Sequence, residues 1–221
     1  MIELNGICKS FQDGSNRVNH VLRGLSLQVA DGEFVAIKGA SGAGKTTLLN
    51  ILGTLLKPDS GTYLLNGIDV TKPGTNLSII RNQKIGFVFQ DHRLMPQFNV
   101  MQNILLPTLA TKKTSTGEEV AYAHKLMELT YIASLAHQFP DTLSGGEASR
   151  VAVCRALVMK PVVLLADEPT GQLDRENAIN IAQLLAEVNK ELHTTIVMVT
   201  HSDEVSSVAN KVLLLEEGII A

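Results

Sequence analysis

The chain has 221 residues, 45% of them hydrophobic, enough for one large domain with a substantial core. Its 19 Lys and Arg stand against 22 Asp and Glu, a net charge of −3; the basic excess of a nucleic-acid binder is absent, and no nucleic-acid partner is expected. Apolar runs such as VVLLA (162–166) are far shorter than the ~18 residues of a membrane span, and the start, MIELNGICKS, lacks the apolar core of a secretory signal, so the cytoplasm is the expected compartment.

In chain order, VLRGLSLQVA (21–30) and TYLLNGIDV (62–70), with turns at Asp31-Gly32 and Asn66-Gly67, predict an antiparallel β flank. FVAIK (34–38), IGFVF (85–89), VVLLA and TIVMV (195–199) are nearly continuous apolar runs, as in strands buried on both faces of a parallel sheet. A helix is expected over TTLLNILGTLL (46–56) and another, amphipathic through Ala178, Ile181, Leu185 and Val188, over 175–192. Between Gln90 and about Lys160 no comparable strand occurs; helical spacing places Val120, Ala123 and Met127 on one stripe. KVLLLEEGII (211–220) reads as a last strand. The expectation is a single α/β domain over 1–221, with 1–90 and 161–221 as its core and 91–160 as an inserted helical subdomain. Cys8 and Cys154 show no C-x-x-C pattern, which argues against a metal site or a disulfide; both are expected to be buried thiols.

The chemistry concentrates at strand ends. GASGAGKT, comprising Gly39, Ala40, Ser41, Gly42, Ala43, Gly44, Lys45 and Thr46, matches G-x-x-x-x-G-K-[ST] between a strand and a helix and so predicts a P-loop NTPase. Its glycines let backbone N–H groups surround phosphate oxygens, Lys45 reaches the β and γ phosphates, and the Thr46 hydroxyl can ligate Mg²⁺. VVLLA delivers Asp167 and Glu168 at its carboxyl end, where open α/β sheets bind ligands. Asp167 is assigned to the metal and Glu168 to the attacking water; the competing reading is that both merely open the loop before Pro169. His201 and Gln90 each follow a strand. Both can meet the same pocket, or be ordinary polar strand termini.

LSGGEASR (143–150) poses a separate question. Ser144 and Glu147 fit a capping box, but two glycines at a helix start cost about 1 kcal/mol each against alanine. Something must come close to Gly145 and Gly146.

With these motifs in place, the sequence resembles the nucleotide-binding subunit of ATP-binding cassette (ABC) transporters over essentially its whole length. Gly39 to Thr47 look like the Walker A loop, Gln90 the Q-loop, LSGGE the signature, VVLLADEP Walker B, TGQLD with Asp174 the D-loop, and His201 the switch histidine. The resemblance implies ATP and Mg²⁺ as ligands, with Gln90 beside the metal and Phe11 stacking on adenine; the competing reading of Phe11 is a strand-end core residue. Asp174 can also serve as N-cap of the helix that follows. In such proteins two copies pack head to tail around two ATP molecules, so Ser144, Gly145 and Gly146 would face the other copy's γ phosphate. A separate integral membrane permease would contact the segment after Gln90, about Asp91 to Val100, placing the chain on the cytoplasmic face of the inner membrane. The closest branch by resemblance serves lipoprotein release, macrolide or peptide export, and cell division; in the last, ATP drives a mechanical regulator without transport. Ala148 and Ser149 stand where the family commonly has glutamine or lysine.

Overall fold

The computed structural model describes residues 1–12, 14, 18–110 and 112–220. The chain begins with β1 (Ile2–Gln12), β2 (Val18–Val29), β3 (Phe34–Lys38), α1 (Lys45–Leu52), β4 (Ser60–Leu65), β5 (Ile68–Asp69), α2 (Leu77–Lys84) and β6 (Ile85–Val88). Helices α3 (Val100–Leu105), α4 (Gly117–Leu129) and α5 (Gly145–Leu157) follow, then β7 (Val163–Asp167), α6 (Arg175–Leu192), β8 (Thr195–Val199), α7 (Asp203–Ser206), β9 (Lys211–Glu216) and β10 (Ile219–Ile220).

The strands form two sheets. One is antiparallel, in the order β2-β1-β4-β5; the other, β10-β9-β3-β8-β7-β6, is parallel apart from the β10–β9 hairpin. The P-loop NTPase architecture, with its β flank, is therefore present. Side-chain alternation explains why the central strands carry no polar face: Val35 and Ile37 of β3 enter one apolar cluster with α1 and the antiparallel sheet, while Phe34 and Ala36 enter a second with α3 to α6. The register pairs Ile37 with Val199 and Val199 with Asp167. The carboxyl ends of β3, β8 and β7 thus stand side by side, and the loops leaving them share one edge of the sheet.

The structure departs from the expected elements where backbone conformation overrides apolar pattern. Helix α1 stops at Leu52 instead of running to Leu56, because Gly53 caps it and Thr54 turns left-handed at φ 53°. The 211–220 run is a hairpin, turning at Glu217 (φ 46°) and Gly218 (φ 83°). Asn66 (φ 51°) and Gly67 (φ 78°) make the left-handed hairpin turn between β4 and β5. Asp31-Gly32 makes no hairpin; it hands the chain from one sheet to the other. β1 and α2 escape the apolar patterns altogether. Cys154 is buried, as expected, and burial pushes its thiol up to about 12. Cys8 is only half-buried, a correction, because it lies on β1 where the sheet is bulged.

Among the described residues no strand lies between β6 and β7; α3, α4 and α5 fill that interval. Helix α5 meets β6 at backbone distance, and a Cβ on Gly86 would lie 2.3 Å from Ala156 O. Gly86→Ala therefore has to displace α5, and a loss of about 2–3 kcal/mol is expected from overpacking, read as a lower urea unfolding midpoint with unchanged m-value.

Candidate active site

The phosphate loop is built against both sheets. A Cβ on Gly39 would lie 2.5 Å from Leu215 O of β9, and one on Gly44 3.0 Å from Val21 Cγ1 of β2. Gly42 (φ 81°) and Gly44 (φ 102°) take left-handed conformations that glycine adopts without strain. Within the loop Ala43 N–H donates to Ala40 O at 3.1 Å, Ser41 is exposed and Thr47 half-buried on the first turn of α1. Lys45 folds back over the loop, its Nζ donating to Gly39 O at 2.8 Å and Ala40 O at 3.1 Å.

Helix α1 differs from its neighbours. Asn76, Asn99, Thr116, Ser144, Asp174 and Ser202 cap α2 to α7 with side chains, whereas α1 begins at Gly44 with no side-chain cap and no acid in its first turn. Among the described residues it is the one α-helix whose leading N–H groups meet no capping side chain. An anion fits such a terminus, because unpaired donors and the positive helix end both favour negative charge.

Opposite the loop, β7 ends at Asp167, and Thr46 Oγ1 donates to Asp167 Oδ1 at 3.4 Å. Burial, then the charge of Glu168, push Asp167 above the usual carboxylate range; the Thr46 hydroxyl, Lys45 and Arg93 act the other way. A carboxylate held against burial and a like charge beside a hydroxyl is a donor set that a hard divalent cation suits. Glu168 is left-handed at φ 45°, costly for a residue with a Cβ. Its backbone is held by Glu168 N–H to Val199 O at 3.1 Å and Gly171 N–H to Glu168 O at 2.9 Å. His201 Nδ1 lies 2.9 Å from Glu168 Oε2, with the histidine side chain 72% exposed and the glutamate 16%. Gln90 reaches the same turn: a Cβ on Gly171 would lie 3.0 Å from Gln90 Nε2. The structure thus brings the phosphate loop, Gln90, Asp167, Glu168 and His201 to one edge.

Sequence reading passed over the residues that brace this edge. Asp203 and Glu204, at the start of α7, pair with Lys38 at the end of β3 and with Arg175 at the start of α6, which holds the segment carrying His201 on both sides. Arg93, whose charge acts on Asp167, stacks on Phe89 at 4.0 Å. No spacing rule announces the two ion pairs or the reach of Arg93 to Asp167, since those partners are distant along the chain.

The start of α5 packs against the start of α6. Ser144 and Glu147 form the capping box: Glu147 N–H donates to Ser144 Oγ at 3.3 Å, while Ser144 N–H and its hydroxyl each donate to Glu147 Oε2 at 2.7 Å. A Cβ on Gly145 would lie 3.0 Å from Leu173 Cδ2, and one on Gly146 3.3 Å from Asn177 Oδ1. A side chain at either position would crowd Leu173 or Asn177, so packing inside the chain favours glycine beside any need for an outside ligand to come close. Asp174 caps α6, accepting from Asn177 N–H at 3.0 Å and from its side-chain amide at 2.6 Å. Phe11, near the end of β1, is 44% exposed, with Lys9 Nζ 5.5 Å from its ring centre. It is not a core residue, and β1 pairs with β2, whose Val21 and Leu22 abut the loop at Gly44.

These caps carry a pH dependence. The Ser144 N–H and then its hydroxyl hold Glu147 below the usual range; the Asn177 N–H and amide do so for Asp174, and Lys112 followed by the Thr116 N–H for Glu119. A carboxylate lowered by folding stabilises the fold above its unfolded value, near ~4, and the contribution is lost as pH falls through the lowered value. The thermal midpoint followed by circular dichroism should be level down to about pH 5 and fall below about pH 4. Glu119→Gln should make that fall shallower.

A parallel sheet with an uncapped glycine loop before α1 and paired acids at the end of β7 defines a P-loop ATPase. The family model described as ABC transporter matches residues 22–171, and the chain belongs to that family as an ATP-binding, ATP-hydrolysing cassette. It is 43% identical over 221 residues to the lipoprotein-releasing system ATP-binding protein LolD 1 of Rhodopirellula baltica, covering all of this chain and 96% of that one. It is 42% identical over 223 residues to the macrolide export ATP-binding/permease protein MacB of the same organism, covering all of this chain and 32% of that protein. Among solved structures, the dimeric ATP-binding cassette MJ0796 in a post-hydrolysis state bound to ADP and Pi superposes with a TM-score of 0.87 at 35% identity, over all of this chain and 96% of that one.

Proposed function

We propose that two copies of this chain close head to tail on two ATP molecules and that closing and reopening drive a membrane permease partner at the cytoplasmic face of the inner membrane. The observation that carries this is the division of the site. A phosphate-ready α1 terminus lies opposite Asp167, while Ser144, Gly145 and Gly146 pack on the start of α6, and a second copy would bring its own Ser144, Gly145 and Gly146 to the γ phosphate. The dimeric form of the similar cassette supports the same reading.

In this scheme residues 39–47 hold the phosphates, Phe11 stacks on the base, and Asp174 meets the opposite copy. Thr46, Asp167 and Gln90 would hold Mg²⁺, which neutralises charge on the β and γ oxygens. Glu168 accepts the proton of the attacking water, its carboxylate oriented by His201. Lys45, His201 and the opposite Ser144 stabilise charge on the γ-phosphoryl oxygens.

Among the described residues no helix is long and apolar enough to cross a membrane, and Met95, within the 91–100 segment, is 44% exposed. This supports that segment as the permease contact. The relatives point to lipoprotein release or to macrolide or peptide export as the work done. The test is purification of the chain from gently solubilised membranes and identification of what accompanies it, followed by reconstitution in vesicles. ATP-dependent movement of a lipoprotein or small hydrophobic cargo is expected. ATP turnover without any movement would favour a mechanical regulator, and absence of a membrane protein would overturn the reading.

A further inference from the structure

The loop after Gln90 is tied to α5 by a chain of hydrogen bonds that none of the roles above uses. His92 (φ 55°) and Arg93 (φ 50°) are consecutive left-handed residues, a conformation that side chains disfavour. One guanidinium holds both: Arg155 of α5 donates from Nη1 to Arg93 O at 2.6 Å and from Nη2 to His92 O. The His92 ring is buried against the same helix, with Nε2 2.6 Å from Ser149 Oγ. Ser149 gives its only hydroxyl proton to Gly145 O at 3.0 Å. Both contacts are made together when the ring proton is on His92 Nε2 and Ser149 accepts from it.

The links run from Gly145, through Ser149 and His92, to a backbone two residues from Gln90. Ser149 is fully buried, and its bond to Gly145 O lies within α5, so any separation of the loop from the helix has to break the bond to His92. We propose that His92 and Ser149 are positioning residues for ATP hydrolysis: they make Gln90 and the start of α5 move as one body, so that displacement at Gly145 and Gly146 reaches Gln90. The proposal rests on the reading that Gln90 and the α5 start both serve the hydrolytic site.

The test uses the full-length chain and its variants Ser149→Ala, His92→Phe, the double variant and Gln90→Ala. Steady-state ATP hydrolysis gives kcat and KM, and hydrogen exchange over residues 90–95 is followed in a Glu168→Gln background with and without ATP. Ser149→Ala and His92→Phe should each lower kcat about fivefold with KM within about twofold. The double variant should be no slower than either, because both break one link. Exchange over 90–95 should slow on adding ATP and lose that response in Ser149→Ala. An unchanged kcat in Ser149→Ala, effects that multiply in the double variant, or an exchange response that survives would overturn the proposal. If Gln90→Ala hydrolyses ATP at the parental rate, the reading of the site beneath it fails instead.

Discussion

Glu168→Gln should lower kcat for ATP hydrolysis about thousandfold, the middle of the range for removing a positioned general base, while ATP binding persists. The glutamine keeps the size of the side chain and a hydrogen bond to His201, whose Nδ1 lies 2.9 Å from the native Oε2. It cannot take a proton from water. The left-handed backbone of Glu168, fixed by Val199 O and Gly171 N–H, is unaltered, so the defect should be confined to the chemical step. With ATP and Mg²⁺ the variant should accumulate as a dimer on a sizing column, because hydrolysis no longer reopens it. Undiminished turnover would remove Glu168 from its assigned role, whatever the column shows.

Lys45→Met should raise the ATP dissociation constant at least about 100-fold, roughly 2.7 kcal/mol, with little change in thermal midpoint. Methionine preserves the side-chain stem. What is lost is a charge that Gly39 O and Ala40 O hold over the loop, at the one helix start where no side-chain cap or first-turn acid supplies a competing partner. Charge-assisted bonds to phosphate are worth about 1.5–3 kcal/mol each, so two of them account for the expected loss. Fluorescent-nucleotide titration checks it, and affinity kept within about threefold would contradict the assignment of the loop to the β and γ phosphates.

Much of this site is legible from the chain because its motifs are local. A phosphate loop needs glycines, a lysine and a hydroxyl within eight consecutive residues, and a buried strand announces itself as an apolar run whose first polar residues lie at its end. Asp167, Glu168, Gln90 and His201 were found in that way, each at the point where a run stops. The backbone turns that shorten α1 and split the 211–220 run into a hairpin are less legible, since Thr54 and Glu217 adopt left-handed conformations that their residue types do not signal.

The sequence by itself determined the central strands, the main helices and the identity of the groups able to meet a phosphate, because periodicity and short motifs depend only on neighbours along the chain. Only the tertiary structure decided what those groups touch. It set Asp167 beside Thr46, His201 on Glu168, and α7 between Lys38 and Arg175. It also added to the meaning of LSGGEASR: a side chain at Gly145 or Gly146 would crowd Leu173 or Asn177, and Ser149 bonds a histidine 57 residues away. Such contacts depend on how sheets and helices pack, and distance along the chain carries no record of it.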